Sequence, residues 1–431
     1  MVNQLHRNTL WMVCATVVAT ASQWFTVVLL SKLTNPGILG TYALALSIIT
    51  PVLAFTGFQL RYVLCTDARK EFSFPTYLFV RLGTVALSLA VIWIWFAAKE
   101  PSVFMVVLAL GICKGSDAVC DICHGYLQAN LRMDRIAISL MMQGVLQLTV
   151  FATAIVLTGS LAWGIASAGL VSLCILGGFD TKSVSLVHPP SAEPIRKALA
   201  RYLRFPKPEW RTVRKLILLS FPMGLVVGAN ALIGNIPRYF LAHESGKEAV
   251  GIFAALFYLT LPGGIAVSAY CDSACPQLAK WGAEGNFRQL GKSLALLIAG
   301  AALIGLAGWL VGVSIGHFIL NACYGPAYAA HTQSFAWLMA GAGFSYIATV
   351  LGYAVTSLRE FHLQVPFRIV HLGSMYLICL YWIPREGLLG ASKSFFASSV
   401  FFAIAMAALL MWILQGRMLP VAGAPATKPC P

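Results

Sequence analysis

Gly40-Thr-Tyr-Ala-Leu-Ala-Leu-Ser-Ile-Ile-Thr-Pro51 and Gly251-Ile-Phe-Ala-Ala-Leu-Phe-Tyr-Leu-Thr-Leu-Pro262 carry the organisation of this chain. Each stretch opens on a glycine, runs through an aromatic-alanine pair and closes on a proline, with both landmarks displaced by 211 residues. A second pair of matches comes in the same order. Gly125-Tyr126 with Leu131-Arg132 recurs as Gly352-Tyr353 with Leu358-Arg359, 227 residues further on. The chain therefore reads as a duplication whose second half has gained residues between the two landmarks.

Each quoted stretch lies within an apolar run long enough to cross a bilayer, which takes about 20 residues. Working outward gives twelve such runs: 9–31, 38–60, 76–98, 102–124, 136–158, 161–179, 215–236, 249–271, 293–319, 331–356, 364–383 and 388–414. The repeats fall on the second and fourth runs of each half. The expected fold class is all-α and polytopic, with two pseudo-symmetric six-helix bundles around a central cavity. Six spans per half set both halves the same way up, as a parallel repeat about an axis along the membrane normal. The expected lobes are 1–179 and 215–431, joined by a basic linker at 180–214.

Composition agrees. The 431 residues are 59% hydrophobic and 10% charged, with a mean hydropathy of +0.79. A soluble chain carries roughly 25% charged residues, so this one lacks the shell that water would require. The net charge of +15 does not point to nucleic acid, because the basic residues sit in short connectors. With the N-terminus placed in the cytoplasm, 22 of the 30 Lys and Arg fall on the cytoplasmic side and 5 on the other. Arg81, Lys114 and Lys393 lie within spans. This bias predicts cytoplasmic N- and C-termini.

Three local patterns are set aside. Ala19-Thr20-Ala21 resembles a signal-peptidase site, but its apolar run continues to Leu30, too long for a signal segment. The eleven cysteines are scattered along apolar runs and form no disulfide framework. Cys120-Asp-Ile-Cys-His124 fits a haem-attachment pattern but is placed on the cytoplasmic side. There is no metal-ligand spacing, P-loop, nucleophile elbow or dinucleotide turn.

An ionisable residue within a span costs about 2.5–3.5 kcal/mol to insert, so it faces protein or a cavity. On the fourth run, Lys114, Asp117, Asp121 and His124 are spaced three, four and three apart, which puts them on one helical face. That face either lines a lumen or holds a local Lys114–Asp117 pair. Arg61 ends the second run and Arg81 opens the third; with Lys114 they would form a cationic path from the cytoplasmic mouth. Arginine suits bidentate phosphate binding and lysine a point contact, so the path suits a diphosphate. Arg238 and Lys393 are expected near the opposite mouth, where they would receive the same group. Asp117, Asp121, His124 and Asp272 are candidates for ion coupling or lumen electrostatics. Pro51 and Pro262, read as mid-helix, are candidate gating kinks, since each frees a backbone carbonyl.

Several stretches are similar to one known family. Leu33-Thr-Asn-Pro-Gly-Ile-Leu-Gly-Thr-Tyr-Ala-Leu-Ala-Leu-Ser47 resembles the first loop and second helix of the polysaccharide-biosynthesis flippases. These are the O-antigen and exopolysaccharide-repeat transporters of the multidrug/oligosaccharidyl-lipid/polysaccharide (MOP) superfamily. Asn235-Ile-Pro-Arg-Tyr-Phe240 and Ala249-Val-Gly-Ile-Phe-Ala-Ala255 resemble the opening of their second half. Tyr324-Gly-Pro-Ala-Tyr328 and Thr356-Ser-Leu-Arg359 with Gln364 resemble later connectors. Pro276-Gln-Leu278 departs from the expected Pro-Arg-Leu, which removes a basic group from that connector. The resemblance implies a secondary transporter, not an enzyme, that moves an undecaprenyl-diphosphate-linked oligosaccharide from the cytoplasmic to the periplasmic leaflet of a bacterial inner membrane. It implies an ion gradient or the membrane potential as driving force, and no cofactor. The implied partners are the lipid-linked oligosaccharide, membrane lipids and other polysaccharide-assembly proteins. Two alternatives stand beside it: a multidrug or organic-cation antiporter of the same superfamily, with an acidic, aromatic cavity, and a membrane-embedded glycan polymerase or ligase, with a large periplasmic loop.

Overall fold

The computed structural model describes residues 2–67, 71–96, 101–187, 209–358 and 360–418, which are helical with no strand among them. In chain order the helices are α1 (Val2–Leu33), α2 (Pro36–Thr56), α3 (Leu60–Thr66), α4 (Phe74–Phe96), α5 (Pro101–Ala129), α6 (Met133–Thr158) and α7 (Leu161–Ile175). A π-helical segment (Leu176–Asp180) leads into α8 (Thr181–Val187). Then come α9 (Trp210–Glu244), α10 (Gly246–Tyr258), α11 (Leu261–Ala283), α12 (Phe287–Ser314), α13 (Gly316–Tyr324), α14 (Pro326–Ala329), α15 (Thr332–Ser357) and α16 (Phe361–Met418).

Among the described residues nine helices are long and apolar enough to cross a membrane, or ten when the bent pair α10–α11 is taken as one span. Two further features account for the remaining expected runs. α5 is 29 residues long, but Lys114, Asp117 and Asp121 set it apart in composition. α16 is a continuous 58-residue helix by its backbone hydrogen bonds, yet Gly387 adopts φ 55°, ψ −123°, a conformation open to glycine and costly for other residues. The chain folds back there. His371 Nε2 lies 3.0 Å from Ser398 Oγ, its ring stacks on Phe402 at 4.1 Å, and Ser394 Oγ donates to the Ile378 carbonyl at 3.4 Å. The two arms are thus antiparallel neighbours. The chain is a multi-pass membrane protein.

Contacts divide it into two compact units, Met1–Tyr258 with Asn321–Tyr328, and Leu259–Leu320 with Ala329–Pro431. This grouping differs from the repeat-based lobes: α9 and α10, assigned by sequence to the second half, pack on α2 in the first unit. Residues 188–208 of the expected linker lie outside the described residues.

The repeat landmarks meet in the first unit. Where α2 crosses α10, a Cβ on Gly40 would lie 1.7 Å from the Lys247 carbonyl oxygen. A Cβ on Gly251 would lie 2.3 Å from the Pro36 carbonyl oxygen and 2.7 Å from the Gly40 nitrogen. Backbone touches backbone, the small-residue packing that membrane helices use in place of a hydrophobic driving force. In the second unit, Gly305 and Gly343 make a similar crossing between α12 and α15.

The two prolines differ. Pro51 lies within α2 and is buried. Its missing N–H frees the Ser47 carbonyl, which accepts a hydrogen bond from the Tyr239 hydroxyl on α9. Pro262 is not mid-helix, as the sequence reading had it. It sits in the first turn of α11, just after a 40° break from α10. Proline is well tolerated there, because that N–H has no intrahelical acceptor. Two helix ends also move. α9 runs through Pro222 and Pro237 to Glu244, beyond the expected 236, and the sixth run continues through the π segment to Val187 rather than stopping at 179.

Tyr239→Phe is expected to lower stability by about 1–3 kcal/mol, the cost of leaving a buried carbonyl unpaired. In a Pro51→Ala background residue 51 regains its N–H and the loss should shrink. Equal losses in both backgrounds, read from thermal midpoints in detergent, would sink this account.

Candidate functional site: a cationic cavity in the first unit

α5 presents its charged residues to three different sets of neighbours. Lys114 Nζ donates to Asp117 Oδ2 at 2.9 Å. The other oxygen, Asp117 Oδ1, accepts from Ser172 Oγ of α7 at 2.6 Å and from Gln147 Nε2 of α6 at 3.2 Å. Gln147 Nε2 also reaches Ser172 Oγ at 2.5 Å. Asp117 is therefore fixed from three helices, and its charge is compensated by Lys114 on its own helix.

Both residues open onto a cavity of about 380 Å³ within the first unit. Helices α1, α2, α5, α6, α7, α9 and α10 contribute its walls, with Gln23, Tyr42, Gln143, Asn235, Arg238 and Tyr258 among the polar lining. Arg238 Nη1 donates to Asn235 Oδ1 at 2.7 Å, and its guanidinium lies over the Phe257 ring at 5.6 Å. No carboxylate pairs with it among the described residues, and its buried Nε has no hydrogen-bond partner. Gln143 Nε2 is likewise buried and unpartnered. The cavity thus combines two cations, one anion already engaged, and donors without acceptors. An occupant rich in acceptor oxygens and negative charge would satisfy them.

The sequence reading set Lys114 on the path from the cytoplasmic mouth and Arg238 near the opposite mouth; the structure brings them to one cavity. Gln143 and Gln147 were missed, although two glutamines four apart on an apolar helix mark one face. Asn235 stands in the sequence reading only as the first residue of the Asn235–Phe240 stretch.

One turn beyond Asp117, Asp121 forms a second cluster. Arg61 Nη1 lies 2.8 Å from Asp121 Oδ1, and Arg81 Nη2 lies 4.0 Å from Oδ2. Arg61 Nε and Nη2 also donate to Gln128 Oε1 at 3.1 and 2.9 Å. Arg81 is buried with an unpartnered Nε, whereas Asp121 is 38% exposed. Two guanidiniums on one accessible carboxylate again leave an excess positive charge. Neither arginine lines the cavity that holds Lys114. His124, at the end of the charged stretch, is buried between Ser139 and Asp180. In the second unit Lys393 pairs with Glu386 at 2.6 Å, and Asp272 is exposed on α11 with no ion pair among the described residues. Among the described residues, no group of three His, Cys, Asp or Glu side chains is placed to hold a metal ion.

No protein-family model matches the chain. In sequence it is 20% identical over 389 residues to the capsular polysaccharide biosynthesis protein CapF of Staphylococcus aureus, across 90% of this chain and 94% of that one. Among solved structures it is similar to the inward-facing conformation of a multidrug resistance MATE family transporter of the MOP superfamily. The TM-score there is 0.74 at 14% identity, with 93% of this chain and 95% of that one covered. It is also similar to a MOP superfamily transporter from Pyrococcus furiosus, whose binding pocket is described as of reverse polarity (TM-score 0.65, 13% identity, 96% of each chain). A third similar structure is the Vibrio cholerae MATE transporter VcmN (TM-score 0.62, 14% identity, 96% of this chain and 97% of that one). The chain has the fold of MOP superfamily transporters, and the resemblance read from its sequence is borne out.

Proposed function

We propose that this chain is a flippase that carries an undecaprenyl-diphosphate-linked oligosaccharide from the cytoplasmic to the periplasmic leaflet of a bacterial inner membrane. The observation that carries the reading is the cavity, in which Lys114 and Arg238 outnumber Asp117 and the donors Arg238 Nε and Gln143 Nε2 lack acceptors. A diphosphate supplies the anionic oxygens and a glycan supplies hydroxyls to the surrounding amides and tyrosines. The polysaccharide role of the Staphylococcus aureus relative and the transporter fold point the same way.

In this reading Arg61 and Arg81 form an outer anion seat, occupied at rest by Asp121 and taken over by the diphosphate on its way to Lys114 and Arg238. Lys393, freed from Glu386, meets it on exit, and Asp272 sets the local field. The two lobes move against each other with both termini cytoplasmic, and the carbonyl freed by Pro51 and the break before Pro262 let the backbone bend. An organic-cation antiporter needs a carboxylate free to meet its cargo. Asp117 is held by Lys114, Ser172 and Gln147 instead. Deletion of the gene is expected to leave a complete lipid-linked oligosaccharide accumulating on the cytoplasmic leaflet, with surface polysaccharide lost and drug sensitivity unchanged. Unaltered surface polysaccharide together with gained drug sensitivity would sink the flippase reading in favour of the antiporter.

A further inference from the structure

One buried acid has no part in the cavity or in the arginine cluster. Asp180 closes the π-helical segment and is completely buried, and neither of its carboxylate oxygens has a hydrogen-bond partner among the described residues. The nearest basic group is His124, itself buried, with Nε2 3.6 Å from Asp180 Oδ1 and 3.0 Å from Ser139 Oγ. The groups that face the pair are neutral or already engaged. The Cys120 thiol on α5 is near enough to act as a weak donor to Asp180, and Cys123 lies within electrostatic reach of it. Ser139 comes from α6, and Ser183, three residues after Asp180, carries a buried hydroxyl without a partner. Arg135 of α6 stacks over the ring of Phe179 at 5.8 Å and stands near Asp134 at 4.0 Å. Asp121, three residues before His124, is taken up by Arg61 and Arg81.

A fully buried carboxylate with no strong donor beside it is not tolerated as a bare charge. A single proton resolves it, held either as imidazolium facing carboxylate or as carboxylic acid facing neutral imidazole. Both arrangements are neutral overall, and removing that proton leaves the bare anion. Among the described residues, no three His, Cys, Asp or Glu side chains are placed here to hold a metal ion. π segments within α-helices mark functional sites, because they insert a residue and shift the register of the next turns. Relaxing this one to α geometry would turn Asp180 by about 100° relative to α5, away from His124. Gly177 and Gly178, within the segment, have nothing within 4 Å of a notional Cβ.

We propose that His124 and Asp180 form a proton-binding site, loaded while the π segment is closed and emptied when it unwinds. On the flippase reading above, this proton is the ion whose gradient drives transport. The site itself is tested on the purified full-length protein in lipid nanodiscs, by infrared difference spectroscopy through a pH titration. A carbonyl band of a buried carboxylic acid, or an imidazolium ring band with its carboxylate stretch, is expected to respond to pH in the wild type, to vanish in Asp180→Asn and to persist in Asp117→Asn. If Asp180→Asn does not fold, His124→Gln takes its place, with the band's response to pH altered from that of the wild type. A band unchanged in these variants, or one that responds to sodium rather than to pH, overturns the proposal. Coupling is tested in proteoliposomes with labelled lipid-linked oligosaccharide. Asp180→Asn should lose at least tenfold of the rate driven by an imposed pH gradient while keeping gradient-free exchange. A variant as gradient-sensitive as the wild type overturns the coupling role. Failure of the wild type to move glycan at all overturns the flippase reading instead, and the titration then decides the proton site alone.

Discussion

Gly40→Ala is expected to cost about 3 kcal/mol or more, the upper end of the range for overpacking. The added methyl would be 1.7 Å from the Lys247 carbonyl oxygen, and the backbone of α10 cannot swing aside as a side chain would. Gly251→Ala should do comparable harm, because its methyl would meet the Pro36 carbonyl and the Gly40 nitrogen. The control is Gly83→Ala on α4, where nothing lies within 4 Å of the added atom. There the change should be neutral, or stabilising by roughly 0.5–1 kcal/mol through reduced chain entropy. Thermal midpoints and monodisperse yield in detergent separate the cases. A Gly40→Ala protein as stable as Gly83→Ala would show that α2 and α10 do not hold this close crossing. Because the crossing joins the two copies of the repeat, its loss should also abolish transport.

That crossing shows which features were legible in the sequence. Bilayer thickness fixes the length of a span, so the apolar runs could be placed from residues alone, and the matched glycines marked one repeat. That Gly40 and Gly251 touch each other is a matter of which helices meet, which spacing along one chain does not encode. The same holds for the site. The cost of inserting Lys114, Asp117 and Asp121 in an apolar run made α5 conspicuous, but their partners Ser172, Gln147 and Arg61 come from three other helices. Arg238 near a span end had a cheap explanation as a snorkelling side chain, and only the packing of α9 on α2 turns it into the cavity. Asp180 falls one residue past its apolar run, where it read as linker. The π segment that buries it adds a residue per turn, a shift that a period of 3.6 does not anticipate. Pro262 was misread because a proline in an apolar run looks the same whether it kinks a helix or starts one.

On the proposed flippase function, replacing Lys114 by alanine is expected to abolish glycan transport while leaving protein levels nearly intact. Breaking a fully buried ion pair costs about 3–5 kcal/mol. Here the cost should fall well below that, because Asp117 keeps its bonds to Ser172 and Gln147 and both partners are partly exposed. The functional loss is larger, because each charge-assisted contact to a diphosphate contributes about 1.5–3 kcal/mol, roughly ten- to a hundredfold in affinity. Arg238→Ala should lose a similar factor. Lys114 has two possible roles, to hold the cargo or only to neutralise Asp117, and Lys114→Ala with Asp117→Asn separates them. The double variant leaves Arg238 as the cavity's one net charge, the excess of the native site, and restores neutrality around residue 117. If Lys114 only balances Asp117, transport returns. If Lys114 meets the diphosphate, transport stays lost although the protein is stable, and that is the expected result. Asp117→Asn alone should keep transport, since it leaves both cations in place and makes the cavity more positive. Surface polysaccharide in cells and exchange of lipid-linked oligosaccharide in vesicles read out all four variants, and a double variant that transports like the wild type would remove Lys114 from the binding site.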